Sequence, residues 1–140
     1  MTTSKRVRKG TLGSSKRAGN SIFKLKVANH YAKRGFSVRS NVSNKYGNFD
    51  LIATKKHGKM KESQLTLLIE CKNYGNDRVP FGAFVRFVRK FVRYFDHYES
   101  REGGNWNGVF VYLGRLDRQI RPFWKSIPDK DWIRLQKFKQ

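Results

Sequence analysis

The sequence has little of several things that other protein classes need. Cysteine occurs once, at Cys71, which excludes an intramolecular disulfide and a zinc site built from several cysteines. No apolar run reaches the roughly 18–20 residues of a membrane span, and the polar N-terminus lacks the apolar segment of a secretory signal. The three histidines are scattered, and the glycine-rich phosphate loop of NTPases is absent. We therefore expect a soluble, intracellular protein that has no contact with a membrane.

Acidic residues are also scarce. The chain has 10 Asp and Glu against 31 Lys and Arg, a formal net charge of +21, and a pI of about 10.6. Such a charge disfavours the compact state unless a polyanion neutralises it, and nucleic acid is the polyanion that we expect. Charge does not distinguish DNA from RNA, and a ribosomal or chromatin-like scaffold would share this composition. The expected location is cytoplasmic or nucleoid-associated.

The length and composition indicate one folded domain. A chain of 140 residues with 38% apolar and 14% aromatic residues has material for one core. We assign residues 1–18 to a flexible basic arm and residues 19–140 to the domain. The arm has cations that could follow a phosphate backbone: Lys5, Arg6, Arg8, Lys9, Lys16 and Arg17.

The order of predicted elements is α, β, β, β, α, β. The first helix begins at Ser21 and ends before Gly35, and the second covers residues 81–95. Strands are predicted over residues 36–39, 49–54, 65–72 and 108–114. Residues 40–48 and 73–80 are expected to be loops, and residues 116–140 a loop followed by a short helix. This order predicts an α/β fold, a mixed β-sheet flanked by α-helices.

The second helix is apolar along one stripe and basic on the other side. Its predicted stripe is Phe81, Phe84, Val85, Val88, Val92 and Phe95. Its predicted nucleic-acid-binding cations are Arg86, Arg89, Lys90 and Arg93. Phe87 and Phe91 fall at the border; we favour a wide core stripe, and the alternatives are base stacking or a dimer contact.

Charged residues stand inside two of the predicted strands. Alternation places Glu70 and Lys72 on one face of the third strand, with Cys71 on the other. An antiparallel hairpin would bring Asp50 beside Glu70, and two converging carboxylates suit Mg²⁺ or Mn²⁺. Lys72 would then face the same phosphate. A structural Glu70–Lys72 ion pair is the alternative, and the full pattern favours catalysis.

These segments resemble a known family. GNFDLIA followed by LLIECKNYG resembles the core motif of the PD-(D/E)XK nucleases, and the surrounding elements resemble archaeal-type Holliday junction resolvases and Mrr-like endonucleases. The resemblance implies a restriction-endonuclease-like fold with an αβββαβ core. It further implies that Asp50, Glu70 and the backbone carbonyl of Cys71 bind Mg²⁺ or Mn²⁺, and that Lys72 is the catalytic lysine. Two positions depart from the pattern: Lys24 stands where many members have a helix Glu, and Phe49 replaces the usual Pro.

The implied function is a metal-dependent endodeoxyribonuclease that hydrolyses phosphodiester bonds. A structure-selective enzyme resembling Holliday junction resolvases is favoured, acting as a homodimer because so small a domain can hardly enclose branched DNA alone. The alternatives are an Mrr-like or repair nuclease acting on duplex DNA, and a non-catalytic nucleic-acid-binding protein that retains the fold. An RNA substrate is also compatible with the sequence.

Overall fold

The computed structural model describes residues 11–44, 47–56, 64–102, 105–128 and 132–139, with backbone alone described for 11–19, 43–44 and 98–102. Within these ranges the elements follow the chain in one order. They are α1 (Thr11–Lys33), β1 (Ser37–Asn44), β2 (Gly47–Lys56), β3 (Gln64–Val79), α2 (Phe81–Glu102), β4 (Asn105–Leu116), α3 (Ile120–Ser126) and β5 (Ile133–Lys137).

The strands form one five-stranded mixed sheet in the order β1-β2-β3-β4-β5. The first three strands are antiparallel neighbours, which confirms the predicted hairpin of β2 and β3. Strand β4 lies parallel to β3, and β5 lies parallel to β4. The crossover from β3 to β4 runs through α2, as a parallel pair requires. The predicted α/β class and mixed sheet are confirmed.

Helix α1 packs on one face of this sheet. Phe23, Val27 and Tyr31 are buried at helical spacing, together with sheet residues such as Leu67 and Val109. The helix ends at Lys33, and Gly35 follows with a φ of 94°, a left-handed conformation that favours glycine.

The backbone of α1 begins at Thr11, earlier than the predicted start at Ser21. No proline interrupts residues 11–20, so the helix can extend toward the N-terminus. Residues 1–10 lie outside the described part of the chain. The division into an arm over 1–18 and a domain over 19–140 therefore stays a prediction.

Helix α2 packs on the other face and contributes several large rings to the core. Phe84, Phe87 and Phe91 are at most 1% exposed and pack with Phe110 of β4. The wide core stripe is thus confirmed for Phe87 and Phe91. The prediction for Val92 is wrong, since its side chain is 46% exposed. The large rings at spacings of three and four residues determine which face of α2 meets the sheet, and Val92 falls outside that face.

Two predicted loops, over residues 40–48 and 73–80, contain strand residues. The loop predicted over 40–48 is wrong, because β1 continues to Asn44 and β2 begins at Gly47. Strand β1 is an edge strand, where polar residues meet water on the unpaired side. The loop predicted over 73–80 is also wrong, since β3 continues to Val79 after a register shift between Asn73 and Arg78.

The C-terminal segment contains the predicted short helix, α3, and a strand that was not predicted. That strand is β5, an edge strand in which Ile133 is 2% exposed and the residues after it are half-buried or exposed. One buried residue in five gives too little apolar alternation to identify a strand from sequence. Among the described residues, none of the helices has the length and apolar character needed to cross a membrane.

Candidate active site

The predicted alternation in β3 is confirmed at Glu70. Glu70 lies on the α2 side of the sheet, where its carboxylate contacts Lys90, while Ile69 and Cys71 belong to the cluster under α1. Lys72 also reaches this carboxylate, with its Nζ 3.8 Å from Glu70 Oε2. Glu70 is the more enclosed of the two, with 13% of its side chain exposed against 35% for Lys72.

Asp50 joins β2 to the same part of β3. Its Oδ2 accepts a 2.8 Å hydrogen bond from the backbone N–H of Cys71. The pairing of Leu51 with Ile69 places Asp50 next to Glu70 across the hairpin. The two carboxylates are close enough for the charge of Asp50 to raise the pKa of Glu70. The predicted proximity of Asp50 and Glu70 is therefore present in the structure, and Lys72 approaches the same Glu70 carboxylate.

The backbone around Asp50 is irregular. Phe49 packs in the cluster under α2 and Leu51 in the cluster under α1, so strict alternation is interrupted between them. On the neighbouring strand, Asn41 has a φ of 52°, and the pairing passes from Ser40 with Leu51 directly to Val42 with Phe49. The register is the same on both sides of this unpaired position, so the positive φ of Asn41 marks a local distortion of the strand pair without an inserted residue.

Lys24 of α1 reaches Asp50 from the opposite side of the sheet. Its Nζ lies 3.5 Å from Asp50 Oδ1 and 2.7 Å from Asn41 Oδ1. This is the position at which the resemblance led us to expect an acid. The structure shows that the departure from the family pattern lies at the site itself, because the ammonium group of Lys24 is paired with a predicted metal ligand.

Lys90 of α2 is a site residue that the sequence analysis assigned to nucleic-acid binding alone. Its Nζ lies 3.1 Å from both carboxylate oxygens of Glu70 and 4.8 Å from the centre of the Phe49 ring. Its stem passes so close to Gly47 that an added Cβ there would lie 2.8 Å from Lys90 Cγ. Lys90 directly precedes Phe91, next to the apolar stripe. This position is the feature of the sequence that could have indicated a partly buried lysine.

The electrostatics of the site centre on Glu70. Burial raises its pKa, the charge of Asp50 raises it further, and Lys90 and Lys72 lower it. Burial also raises the pKa of the Cys71 thiol, with Asp50 and Glu70 adding to the effect. A thiol that is held protonated and packed against the α1 cluster is a core side chain, not a nucleophile.

A cleft of about 360 Å³ opens beside these groups on the α2 side. Gly47, Glu70 and Lys72 form one wall, and α2 forms the other. The α2 wall contains all four cations that the sequence predicted there: Arg86, Arg89, Lys90 and Arg93. The predicted arm cations are not placed, because Lys5, Arg6, Arg8 and Lys9 lie outside the described residues, as do the side chains of Lys16 and Arg17.

Asp50 and Glu70 are the residues that could hold a metal ion. Two adjacent carboxylates offer the hard oxygen donors that Mg²⁺ and Mn²⁺ prefer, and relief of their mutual repulsion would favour binding. This donor set fits one divalent cation. Over the described ranges no third His, Cys, Asp or Glu joins them in a metal-binding group, and Lys24 and Lys90 compete for the same oxygens.

Comparisons with known proteins bear on the fold. No protein-family model matches the chain, and the search of curated proteins gives no significant match. The structure is similar to the crystal structure of a repair endonuclease from Pyrococcus abyssi, with a TM-score of 0.52 and 13% identity. The match covers 87% of this chain and 46% of that chain, so this protein spans about half the length of that endonuclease. At this identity the likeness shows a shared fold, which agrees with the predicted α/β architecture.

Proposed function

We propose that this protein is a metal-dependent endonuclease of the PD-(D/E)XK type that hydrolyses phosphodiester bonds in DNA. One observation carries the proposal: Asp50 and Glu70 are neighbouring carboxylates, and Glu70 and Lys72 line a cleft whose other wall is a row of cations on α2. The shared fold with a repair endonuclease supports it. A strongly basic cleft beside a pair of carboxylates combines affinity for a polyanion with ligands for the ion that phosphodiester hydrolysis uses.

Each group has a role that follows from its position. Asp50 and Glu70, with the backbone carbonyl of Cys71, would hold one Mg²⁺ or Mn²⁺. When bound, that ion supplies Lewis-acid polarisation of the phosphate and a lowered pKa for a water molecule. Lys72 lies at the rim, more exposed than Glu70, where its ammonium group can contact the reacting phosphate and offset the charge that develops there.

The cations of α2 would hold the DNA backbone. Arg86, Arg89 and Arg93 have exposed side chains and line the cleft, so their guanidinium groups can contact consecutive phosphates. Such contacts position the substrate and carry no sequence information. We propose structure-selective cleavage of branched DNA, by a homodimer that brings two clefts to one substrate, with cleavage of ordinary duplex as the alternative.

A second candidate function is favoured by a specific observation. Lys24 and Lys90 each place an ammonium group on one of the two carboxylates. If these ion pairs persist in the presence of metal, the protein is a non-catalytic nucleic-acid-binding protein that retains a nuclease fold. That version predicts salt-sensitive binding to DNA or RNA without any cleavage product.

The test is cleavage of an end-labelled four-way DNA junction and its linear duplex control in Mg²⁺, Mn²⁺ or EDTA. Wild type is compared with Glu70→Gln, and with Asp96→Asn as a control that removes an exposed acid elsewhere on α2. Metal-dependent nicks from wild type and Asp96→Asn, lost in Glu70→Gln while binding persists, support the endonuclease. Binding without nicks supports the second candidate, and equal cutting of both substrates overturns structure selectivity.

A further inference from the structure

A second cationic cavity lies on the other face of the sheet. It has a volume of about 460 Å³ and is formed by the C-terminal half of α1 and by the residues that follow β5. We call it the α1 groove. Four cations and two rings line it: Lys26, Lys33, Arg34, Lys139, His30 and Phe138. Among the described residues that line it there is no carboxylate, so the groove has a net positive lining.

The rings make a fixed wall. The Phe138 ring packs edge-to-face on Phe23 at 5.4 Å and lies 6.0 Å from His30, whose ring in turn packs on Tyr31. The backbone N–H of Phe138 donates a 2.9 Å hydrogen bond to the carbonyl oxygen of Tyr112. The chain after β5 is therefore tied to the sheet at Phe138, and the next residue, Lys139, lines the groove.

His30 contributes a ring more than a charge. Burial and the neighbouring Arg34 both lower its pKa, which favours the neutral imidazole. A neutral ring beside Phe138, surrounded by cations, is the combination that nucleic-acid-binding surfaces use, since phosphates meet the cations while sugars or bases meet the rings.

The α1 groove and the cleft lie on opposite faces of the sheet. Residues of α1 form the cluster on one face, and α2 forms the cluster on the other, where the cleft opens. Because the sheet and its helices lie between them, a straight segment of nucleic acid seated in the cleft cannot enter the groove.

We propose that the α1 groove binds the phosphodiester backbone of a second nucleic-acid segment while the cleft holds the segment to be cut. The proposal rests on the proposed function to the extent that the ligand is nucleic acid. It gives a physical reason for preferring branched substrates, in which two helical segments approach one protein from different sides. Two separate duplexes would be bridged in the same way.

The test is a bridging experiment with the full chain in EDTA, where no chemistry takes place. A short duplex of one sequence is fixed to beads, a labelled duplex of another is added, and the label retained by the protein is measured. The groove variant is Lys33→Gln/Arg34→Gln/Lys139→Gln, and the cleft variant is Arg86→Gln/Arg89→Gln/Arg93→Gln. The control variant removes the same charge from exposed residues elsewhere: Arg118→Gln/Arg121→Gln/Lys125→Gln.

We expect wild type and the control variant to retain the label, and the groove and cleft variants to retain about fivefold less or lower still, since each loses several phosphate contacts. If the groove variant retains as much label as the control variant, the proposal is overturned. A dimer that bridges the two duplexes with its two clefts would give this result. No retention by wild type also overturns it.

A single substitution guards against a groove variant that fails to fold. Lys139 is exposed and follows the last strand, so Lys139→Gln leaves the packed core untouched. Lys139→Gln is also introduced into the cleft variant, whose remaining nucleic-acid binding would depend on the groove. There it should reduce the slope of log affinity against log salt concentration by about 1. An unchanged slope contradicts a phosphate contact at Lys139.

The outcomes for the two proposals are separable. If Glu70→Gln and wild type are both inactive but bridging depends on the groove, the endonuclease fails and the second binding surface stands. If junction cleavage is lost in Glu70→Gln and bridging does not depend on the groove, only the second surface fails.

Discussion

The ammonium group of Lys90 lies 3.1 Å from both carboxylate oxygens of Glu70, and this contact fastens α2 to the centre of the sheet. Lys90 reaches Glu70 by passing over the Phe49 ring and against the backbone at Gly47. The same contact stabilises the ionised form of a buried carboxylate whose neighbour, Asp50, opposes that ionisation. Stability is therefore coupled at Glu70 to the metal binding that we propose there.

Glu70→Gln should make the protein more stable relative to wild type as the pH rises. Burial and Asp50 raise the pKa of Glu70 above its ordinary value, so the folded state binds this proton more tightly than the unfolded state. The tighter binding of this proton stabilises the folded state fully at a pH below the pKa that Glu70 has in the unfolded state. The stabilisation is lost as the pH rises through the pKa that Glu70 has in the folded state. Glutamine mimics the protonated form at every pH.

The measurement is the melting temperature of both proteins between pH 4 and pH 8 without metal, a window that spans the ordinary carboxyl range. The difference, Glu70→Gln minus wild type, should grow with pH and then level off. A difference that stays constant, or that shrinks with increasing pH, would contradict a raised pKa at Glu70.

Lys90→Met should move the proposed metal-dependent cleavage to higher pH. Lys90 lowers the pKa of Glu70, so its removal leaves burial and Asp50 less opposed and raises that pKa further. The acidic limb of the rate profile should therefore shift to higher pH. Arg93→Met is the matched control, since it removes a cation from the same cleft that is not among the charges shifting Glu70. Equal shifts in both variants would contradict a specific effect of Lys90.

Much of the fold and the carboxylate pair could be predicted because they depend on local pattern. The strands containing Asp50 and Glu70 are apolar and separated by a polar connection, so their pairing follows from hairpin geometry. Alternation within β3 then determines which side chains share a face with Glu70. The edge strand β5 and the polar half of β1 lack a clear alternation of apolar residues, because one side of an edge strand faces water.

The lysines at the site could not be predicted for a different reason. Lys24 and Lys90 belong to helices far from Asp50 and Glu70 in sequence, and their contacts depend on how each helix is rotated on the sheet. The long lysine stem then determines where the ammonium group ends. The sequence identified Lys24 as a departure from the family pattern, but it could not place its charge on Asp50.

Lys24→Glu should strengthen binding of a divalent cation. The change replaces an ammonium group 3.5 Å from Asp50 Oδ1 with a carboxylate, which adds a ligand and removes a competitor. A swing of two charge units at about 4 Å in a high-dielectric site is worth a few kcal/mol toward a divalent ion, which corresponds to at least about tenfold in affinity.

Calorimetric titration with Mn²⁺ measures the effect, with Lys24→Met as the control that removes the ammonium group without adding a ligand. Without metal, Lys24→Glu should melt below Lys24→Met, because three carboxylates then repel one another. If Lys24→Glu binds Mn²⁺ no more tightly than Lys24→Met, the site near Asp50 is not a metal site.

Gly108→Ala should destabilise the protein by separating α2 from β4. A Cβ at Gly108 would lie 2.8 Å from Phe91 Cδ1 and 3.0 Å from Phe87 Cζ, two rings that are 1% exposed. Neither ring has room to move in a close-packed core, so the added methyl group should cost about 1–3 kcal/mol.

Gly82→Ala is the matched control: it is exposed in the first turn of α2, where the nearest atom is the end of the Arg86 side chain at 3.3 Å. Alanine there should stabilise the helix by up to about 1 kcal/mol. Urea denaturation of both variants measures the difference, and comparable stability would mean that the backbone of β4 does not approach the Phe87 and Phe91 rings as closely as this packing requires.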